Sequence, residues 1–519
     1  MRRRPENIEI NEQFEKALRL MEDTSRNVFV TGRAGTGKST LLQYFRERTA
    51  KRVALLAPTG VAALNIRGQT IHSFFGFKPD ITPEAAKKIK AKKDSLYRNL
   101  DALVVDEISM VRADLLDCMD VFLRRHGPSA RKPFGGLQMI FIGDLYQLPP
   151  VVTSSERAAF SACYRTPYFF SARVFEKIEL ELVELEKIYR QHDPAFIALL
   201  NGVRNKEISD QQLGLLNSRV RPDFEPGPDD FYVYLVATNR QAEAINNRQL
   251  EKIDRPLFSS RAYLEGDFGP EYLPTYRELN IKPGAQVMLV NNDSARRWVN
   301  GSIGRVLDII PGKGEPVVVV RLSDGDRVEV LPYTWEIFRF HARRGRLESE
   351  VIGTFTQYPL TLAWAVTIHK AQGKTFERAI IDIGRGTFAH GQVYVALSRC
   401  TSFEGLILKK PIARKHIWMD WQVADFLTRF QYRKAEETLG LQEKIRIIEK
   451  ALAQKFSLEI TYLKTSDVKT RRVVVPLALG EMEYGGSRFL GLRAFCRLRG
   501  EERTFRLDRI LEMKPAASC

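Results

Sequence analysis

Short apolar runs recur along the first 180 residues, and each is bounded by polar residues or glycine. The clearest runs are residues 27–31, 52–57, 102–106 and 138–143. Segments with the apolar spacing of helices lie between them. Because such runs alternate with crossover helices in buried parallel sheets, the pattern predicts an α/β fold. A second series of the same kind begins near residue 179, with residues 232–238 and 378–383 as its clearest strands.

The stretch between those two later strands has a different texture. Residues 284–344 contain short β-rich pieces separated by turns that contain glycine, as small antiparallel barrels do. We therefore predict a barrel inserted into a second α/β domain, which consists of residues 179–283 and 345–432. The first α/β domain is predicted to span residues 1–178.

Two further segments have helical character. Residues 84–98 are rich in lysine, and we predict an exposed basic helix there, within a small insertion at about residues 74–100. Its charge favours a solvated face over a ligand site. Near the end of the chain, an apolar stripe with helical spacing precedes several short strands. This order predicts a separate, small β-rich domain at residues 441–519.

The charge of the chain narrows the class of partner. Its 519 residues include 80 Lys and Arg against 63 Asp and Glu, for a formal net charge of +17. Such an excess favours a polyanion, either nucleic acid or an anionic membrane surface. No apolar run approaches the roughly 18 residues of a membrane span. The five cysteines are widely spaced and lack the spacing of metal ligands. We expect a reduced, cytoplasmic setting without a membrane.

A phosphate-binding loop follows the first predicted strand. The segment GRAGTGKS matches GxxxxGK[ST] and lies between that strand and a helical segment. Glycines let backbone N–H groups wrap the phosphates, Lys38 neutralises the β and γ oxygens, and Ser39 reaches Mg²⁺. The predicted nucleoside triphosphate site consists of Gly32, Arg33, Ala34, Gly35, Thr36, Gly37, Lys38, Ser39 and Thr40.

Two adjacent carboxylates follow the apolar run ALVV. Asp106 is suited to hold Mg²⁺, and Glu107 is suited to polarise an attacking water. An isolated Asp-Glu pair is common in surface turns. This pair lies about 70 residues after a phosphate loop, at the end of a buried strand. That setting indicates hydrolysis and argues against a small-molecule kinase, which does not activate water.

The loop after residues 138–143 makes a family resemblance specific. Its sequence GDLYQLPP, in which Gln147 is a candidate γ-phosphate sensor, resembles the third motif of superfamily 1 helicases, and DEISM resembles the second. APTGVAALNIRGQTIHSFFGF at 57–77 is similar to the motif after the phosphate loop in the Pif family of superfamily 1B. NEQ at 11–13 is similar to the adenine-reading segment upstream, which implies that Gln13 contacts the base.

The second half of the chain carries further motifs of that family in the same order. IYRQ at 188–191 matches the fourth motif, and GQVYVALSRC at 391–400 matches the sixth. The resemblance implies that Arg190 and Arg399 are arginine fingers. Guanidinium groups delivered across a cleft stabilise charge in the transition state of phosphoryl transfer.

The same resemblance implies a path for nucleic acid. TLAWAVTIHKAQGKTF at 361–376 matches the fifth motif, in which Gln372 and Gly373 belong to the nucleotide site, and VATNRQAEAIN at 236–246 matches a backbone-gripping segment. Small hydroxyls, imidazoles and lysine contact phosphates, and aromatic rings stack on bases. Core packing is an equal alternative for Phe75 and its neighbouring phenylalanines. The predicted DNA contacts are Pro58, Thr59, Gly60, His72, Ser73, Phe75, Thr238, Asn239, His369 and Lys370.

Several properties are implied by the resemblance alone. They are two RecA-like domains with an SH3-like insertion, ATP with Mg²⁺, and 5′-to-3′ travel on single-stranded DNA with duplex unwinding. The family also implies a monomeric motor in DNA replication, recombination, repair and telomere maintenance, here expected in a prokaryotic cytoplasm at the nucleoid. Preference among forked DNA, G-quadruplexes and RNA–DNA hybrids stays open.

The terminal domain resembles the WYL type. EITYLKTS at 459–466, RFLGLRAFCRLRG at 488–500 and RTFRLDRI at 503–510 carry the resemblance, although Phe-Leu stands where Trp-Tyr-Leu is expected. Its arginines are predicted to form one basic strand face for single-stranded DNA or a nucleotide-like ligand, with a solvated barrel surface as the alternative. These arginines are Arg493, Arg497, Arg503 and Arg506.

Two other functions remain open on the sequence. A nucleotide-switched DNA-binding regulator would depend on the WYL-like domain and lack processive unwinding, but the complete hydrolysis set argues against it. An RNA-directed motor of the Upf-type branch would share the motor motifs, whereas the segment at 57–77 favours DNA.

Overall fold

The computed structural model describes residues 10–91, 94–312, 314–343, 346–384, 386, 389–484 and 486–516. The chain forms two compact units. Unit 1 contains residues 1–200 and 209–418, and unit 2 contains residues 201–208 and 419–519. Within the described ranges, none of the helices is both long and apolar enough to cross a membrane.

The first half of unit 1 is built on a six-stranded parallel sheet, in the order β3-β2-β4-β5-β1-β6. The four strands predicted in this region are confirmed, and their residues are almost entirely buried. The strands are β1 (Asn27–Gly32), β2 (Val53–Ala57), β3 (Gln69–Thr70), β4 (Ala102–Val105), β5 (Gln138–Gly143) and β6 (Leu180–Leu185). The helices are α1 (Glu12–Asp23), α2 (Lys38–Arg48), α3 (Gly60–Asn65), α4 (Ile71–Phe75), α5 (Pro83–Ala86), α6 (Asp94–Arg98), α7 (Ala113–His126) and α8 (Arg157–Cys163).

The strand β6 corrects the predicted boundary at residue 178. It pairs in parallel with β1 from Asn27–Leu180 to Gly32–Leu185, so it belongs to the first sheet. The series expected to open a second domain near residue 179 therefore begins with the last strand of the first. An apolar run shows that a strand forms, but the sheet it joins is decided by tertiary contacts.

The predicted single helix over residues 84–98 is wrong. Helix α5 ends at Ala86, α6 begins at Asp94, and residues 87–91 are not helical. Tyr97 is buried, and its ring lies 4.9 Å from that of Phe122 on α7. Residues 84–98 are therefore not fully solvated, because Tyr97 packs in the aromatic core.

The second half of unit 1 contains a parallel sheet in the order β18-β7-β19-β20. Its strands β7 and β19 confirm the two strands predicted there. The helices are α9 (Pro194–Arg204), which ends in unit 2, α10 (Asp210–Asn217), α11 (Asn239–Glu251) and α12 (Gln392–Leu397). The strands, in chain order, are β7 (Val233–Val236), β8 (Phe258–Arg261), β9 (Tyr263–Gly266), β10 (Glu278–Ile281), β11 (Gln286–Leu289), β12 (Ile303–Ile310), β13 (Val317–Leu322), β14 (Arg327–Val330), β15 (Tyr333–Arg343), β16 (Arg346–Gln357), β17 (Leu360–Leu362), β18 (Ala365–Thr367), β19 (Ala379–Asp382) and β20 (Leu406–Leu408).

The insertion between β7 and β18 is antiparallel, as the sequence predicts, but its bounds are wider than residues 284–344. One sheet has the order β14-β13-β12-β11-β17, and the long hairpin of β15 and β16 pairs with β9. The insertion therefore takes in residues 258–362. Its core contains Val287, Val306 and Val320, all fully buried. The SH3-like character of the insertion stays a prediction.

Unit 2 is a five-stranded antiparallel sheet with helices. The sheet order is β24-β23-β22-β21-β25. Ile448 of the predicted helical stripe is fully buried in the core of the unit, together with Leu458 and Leu492. Its elements are α13 (Trp421–Thr438), α14 (Leu441–Gln454), β21 (Leu458–Leu463), β22 (Lys469–Tyr484), β23 (Ser487–Cys496), β24 (Glu501–Arg506) and β25 (Ile510–Pro515).

Ile448→Ala should lower the free energy of unfolding of unit 2 by about 2–5 kcal/mol, because it removes buried methyl groups and leaves a cavity. Lys450→Ala, on the exposed side of the same helix, is the control and should stay within about 0.5 kcal/mol of the parent. Urea unfolding of the full chain measures both. Equal stability of the two variants would contradict the core position of Ile448.

Candidate active site

The phosphate loop lies between the end of β1 and the start of α2. Gly35 and Gly37 have φ values of 82° and 87°, in the left-handed region that favours glycine. Lys38 opens α2, and its Nζ donates to the carbonyl oxygens of Gly32 at 2.7 Å and Arg33 at 2.9 Å. Burial lowers the pKa of Lys38, while the charges of nearby carboxylates, Asp144 foremost, oppose that shift. The loop thus has the geometry of an anion cradle at a helix N-terminus.

A cavity of about 580 Å³ opens at this loop. Its walls come from both halves of unit 1, since the second half contributes a glycine, a threonine and an arginine. Among the predicted residues, those that line the cavity are Ala34, Gly35, Thr36, Gly37, Lys38, Ser39, Thr40, Glu107, Gln147, Arg190, Gly373 and Arg399. The structure therefore brings the predicted phosphate-binding residues, the water-activating Glu107, the γ-phosphate sensor and the two finger arginines to one cavity.

The carboxylate pair follows β4 directly. Burial and the neighbouring charge of Glu107 raise the pKa of Asp106 to about 7. Burial also raises the pKa of Glu107, and its backbone is held at φ 50°, ψ 42°, in the left-handed region. A non-glycine residue in that region is strained by about 1–2 kcal/mol, which is typical of functional sites. Two half-buried acidic groups side by side would gain from a divalent cation, and the hydroxyl of Ser39 with the carboxylate of Asp106 offers the oxygen ligands that Mg²⁺ prefers.

The two candidate fingers lie together. Arg190 Nη1 donates to the carbonyl oxygen of Ser398 at 3.1 Å, next to Arg399. Arg399 is 1% exposed and donates to the carbonyl oxygens of Val395 at 2.9 Å and Lys374 at 3.3 Å. Burial lowers the pKa of Arg399, and the positive charge of Arg190 acts in the same direction. A nucleotide phosphate would supply the anion that the buried guanidinium of Arg399 and the half-buried guanidinium of Arg190 favour.

Three glutamines that are predicted to bind the nucleotide form hydrogen bonds with other residues of the protein. Gln147 Nε2 donates to Asp144 Oδ2 at 3.2 Å, so the sensor is oriented by that carboxylate. Gln13 exchanges two hydrogen bonds with Glu186, accepting from its N–H at 3.1 Å and donating to its Oε2 at 3.2 Å. Its neighbour Phe14 lines the cavity instead. Gln372 Nε2 donates to Glu107 Oε2 at 2.9 Å.

Sequence reasoning missed several residues that build the site. The backbone N–H of Ala34 donates to the hydroxyl of Tyr394 at 3.0 Å, which ties the phosphate loop to α12. Tyr189 and Thr375 also line the cavity. These three residues, Tyr189, Thr375 and Tyr394, lie inside segments that carry the family resemblance. Their position in a motif was therefore the signal that could have found them.

The predicted DNA contacts occupy loop ends and helix starts. The side chains of Thr59 and Thr238 accept from backbone N–H groups in the first turns of α3 and α11, so both hydroxyls cap helices. The exposed residues of the set are Thr59, Ser73, Thr238, Asn239, His369 and Lys370, while Pro58 and His72 are half-buried. Burial lowers the pKa of His72. Gly60 is buried, and a Cβ there would lie 2.1 Å from the carbonyl oxygen of Glu271.

Phe75 is a correction to the predicted DNA contacts. It is 2% exposed and stacks on Phe77 with ring centroids 5.1 Å apart. Phe122 meets it edge-on at 5.3 Å, and Tyr97 stacks at 6.0 Å. A ring enclosed on these sides presents no face to a base, so core packing is the alternative that holds for Phe75 in this structure.

The predicted single basic face of unit 2 is also wrong. Arg493 pairs across strands with Thr504, whereas Arg503 pairs with Ala494, whose side chain is on the buried face. Successive residues of a strand point to opposite faces, so Arg503 and Arg506 cannot share one. Both arginines form ion pairs, Arg503 with Glu501 at 2.6 Å and Arg506 with Asp508 at 2.7 Å. Arg497 lies beyond the end of β23, where Nη2 donates to Ser457 Oγ at 3.1 Å.

Two family models match the chain. The model of the PIF1-like helicase matches residues 7–213, and that of the WYL domain matches residues 443–515. The second match agrees with the β-rich fold of unit 2 and with the resemblance in its sequence.

The chain is similar to known proteins over about three quarters of its length. It is 34% identical over 412 residues to "ATP-dependent DNA helicase Pif1" of Bdellovibrio bacteriovorus, covering 77% of this chain and 88% of that protein. It is 36% identical over 395 residues to "ATP-dependent DNA helicase PIF1" of Homo sapiens, covering 73% of this chain and 58% of that protein. The chain therefore spans less than two thirds of the human relative.

Solved structures of a Bacteroides Pif1 share the fold. The complex of that protein with ADP-AlF4 superposes with a TM-score of 0.76 at 36% identity, covering 82% of this chain and 98% of that one. The same protein bound to single-stranded DNA gives a TM-score of 0.60 with the same identity and coverage.

Phe75→Ala should lower the free energy of unfolding by about 3–5 kcal/mol, because it removes a ring from a closed aromatic core. Ser73→Ala, an exposed neighbour, is the control and should stay within about 0.5 kcal/mol. Thermal and urea unfolding measure both variants. Unchanged stability of Phe75→Ala, with single-stranded DNA bound tenfold more weakly, would instead restore Phe75 as a DNA contact.

Proposed function

The chain belongs to the PIF1-like helicase family, and we propose that it is an ATP-dependent DNA helicase that travels 5′ to 3′ on single-stranded DNA. The observation that supports this most is the joint cavity at the phosphate loop, where Glu107 from the first half meets Arg190 and Arg399. A binding protein needs the loop alone. Hydrolysis needs a group that activates water and cations that stabilise the transition state.

The residues of the cavity divide the work of hydrolysis. The phosphate loop and Lys38 hold the β and γ phosphates, and Gln147 senses the γ-phosphate from a position fixed by Asp144. Glu107 accepts the proton of the attacking water. Arg190 and Arg399 donate to the oxygens that gain charge as the bond breaks.

Mg²⁺ is the proposed cofactor. Ser39 and Asp106 would hold it, and it would neutralise charge on the phosphates when bound. The raised pKa of Asp106 fits this role, because a buried carboxyl with an acidic neighbour is stabilised as an anion by a cation at that place.

Domain closure converts hydrolysis into movement. Arg399 lies with the second parallel sheet and Arg190 donates to the carbonyl oxygen of Ser398 beside it, whereas the phosphate loop and Glu107 lie with the first. Binding of ATP therefore favours an arrangement in which the two halves approach, and release of products allows them to part. The exposed residues His369, Lys370, Thr238 and Asn239 would grip the phosphates of the strand during this cycle.

Single-stranded and forked DNA are the proposed partners, because a similar Bacteroides Pif1 has been solved with single-stranded DNA bound and another similar Pif1 structure concerns unwinding of forked double-stranded DNA. A monomeric motor at the nucleoid of a prokaryote, with G-quadruplexes and RNA–DNA hybrids as further substrates, is the wider proposal that follows from the family. For unit 2 we propose an accessory contact to single-stranded DNA or to a nucleotide ligand, and a contact to DNA would raise affinity through local concentration.

Glu107→Gln should reduce DNA-stimulated hydrolysis by about 10²–10⁴-fold, because it removes the proton acceptor and keeps the shape of the side chain. Binding of ATP should persist. Lys38→Ala should lose hydrolysis and weaken ATP binding as well. Phosphate release and equilibrium binding of a fluorescent ATP analogue separate the two variants. Near-normal turnover of either would refute the role assigned to that residue.

Arg399→Ala should lower the rate of hydrolysis by about 10³–10⁵-fold and abolish unwinding, since a finger acts on transition-state charge. Its affinity for single-stranded DNA should stay within about threefold of the parent, because Arg399 is enclosed in the nucleotide cavity. The assay compares duplexes with 5′ and 3′ tails, and the parent chain should open only the 5′-tailed one. Unwinding of the 5′-tailed duplex by Arg399→Ala would rule out the finger, and unwinding of only the 3′-tailed duplex by the parent would overturn the polarity.

A further inference from the structure

One short segment of the chain contains two of the predicted DNA contacts and also forms hydrogen bonds with Glu107 and Arg399. It follows β18 and folds through local turns, in which the N–H of Gln372 donates to the carbonyl of His369 at 3.1 Å and that of Lys374 to the carbonyl of Ala371 at 3.0 Å. We name residues 369–375 the coupling turn. Its first two residues, His369 and Lys370, are exposed.

The other end of the coupling turn reaches the nucleotide cavity. Gly373 and Thr375 line the cavity. The carbonyl of Lys374 accepts from Arg399 Nη1 at 3.3 Å. Between the two ends, the amide of Gln372 crosses to the first half of unit 1 and donates to Glu107 Oε2 at 2.9 Å.

We propose that Gln372 is a positioning residue that restrains Glu107, and that DNA phosphate at His369 and Lys370 releases this restraint by shifting the coupling turn. The inference rests on the proposed role of Glu107 as the proton acceptor. In this role Gln372 makes hydrolysis depend on DNA, and it does not contact the nucleotide.

The chemistry of the bond explains the restraint. The hydrogen bond from Gln372 holds Glu107 Oε2 toward the coupling turn, so the carboxylate cannot reorient toward an attacking water while the bond is intact. Glu107 is already fixed by its left-handed backbone, which limits how far its side chain can turn away from this donor. Breaking the bond between Gln372 and Glu107 therefore frees the carboxylate to face the attacking water.

The coupling turn is placed to respond to DNA. Only two residues separate the exposed Lys370 from the cavity-lining Gly373, and the turns between them are held by backbone hydrogen bonds. Movement at one end is therefore transmitted to the other within a few ångströms. The unliganded structure of a Bacteroides Pif1 gives a TM-score of 0.75 with this chain, and its single-stranded DNA complex gives 0.60, so the two differ in how well they superpose on it.

The test compares Gln372→Met with the parent chain. Methionine keeps the length of the side chain and removes both amide donors. Hydrolysis is measured at saturating ATP without DNA and with saturating oligo(dT), together with the KM for ATP and the Kd for labelled oligo(dT). Loss of one hydrogen bond of ordinary strength should raise the DNA-free kcat about fivefold. The DNA-saturated kcat, the KM and the Kd should stay within about twofold, so the stimulation by DNA falls by about fivefold.

Two further variants keep the result interpretable. Gln372→Asn has an amide too short for the same bond and should change the DNA-free kcat in the same direction, which carries the test if the methionine variant folds poorly. Gln43→Met is the matched control, because the exposed Gln43 Nε2 donates to Glu47 Oε1 at 3.0 Å on the outside of α2. It should leave the DNA-free kcat unchanged.

A DNA-free kcat of Gln372→Met and Gln372→Asn that is equal to or below that of the parent overturns the restraint. A parallel loss of both DNA-free and DNA-saturated kcat overturns it too, since it means that Gln372 only supports the cavity. Glu107→Gln in the same assay separates this failure from that of the proposed function. Turnover of Glu107→Gln near the parent value refutes Glu107 as proton acceptor, whereas its inactivity leaves that role standing and places the fault with Gln372.

Discussion

Close backbone approach between the two parallel-sheet halves of unit 1 is the constraint on which the site depends. A Cβ at Gly391, just before α12, would lie 2.4 Å from the carbonyl oxygen of Tyr146, just after β5. Glycine at this position lets the halves meet without a clash. The hydrogen bond from Ala34 to Tyr394 then closes the phosphate loop from the far side.

The shared cavity follows from this approach. Neither half has a complete site, since the phosphate loop and the carboxylates come from one and Arg399 comes from the other, while Arg190 follows β6 and donates to the carbonyl oxygen of Ser398. The free energy of nucleotide binding is therefore available to hold the halves together, and hydrolysis removes it. The coupling turn lies on the same boundary, which is why a single amide can reach from the proposed DNA path to Glu107.

The sequence predicted the parts of the fold that local pattern determines. Four buried strands around the phosphate loop were found from their apolar runs, because a fully buried parallel strand has few polar residues. The boundary at residue 178 failed, since β6 has the same local pattern whether it begins a new sheet or ends an old one. The bounds of the insertion failed for a related reason, because the hairpin of β15 and β16 looks like any pair of strands until its partner β9 is known.

Where the sequence left the role of a candidate site residue open, its burial in the structure assigned that role. Motif spacing found Lys38 and Glu107, and the family resemblance implied Arg399, because the chemistry of each requires its residue type. Phe75 is apolar, and such a ring suits a core as well as a base, so only its neighbours could assign it. The basic face of unit 2 is a different case, because the period of two along β24 already separates Arg503 from Arg506. The bond between Gln372 and Glu107 joins residues 265 positions apart, and no local pattern predicts it.

The central claim is that the transition state is bound by both halves at once. The most direct measurement compares the affinity of the chain for ADP with its affinity for ADP and aluminium fluoride, in the parent and in a variant that combines Arg190→Ala with Arg399→Ala. The account predicts that the double variant binds ADP within about threefold of the parent but loses at least about 10²-fold in affinity for the transition-state analogue. An equal loss for both ligands, or no loss for either, would contradict it.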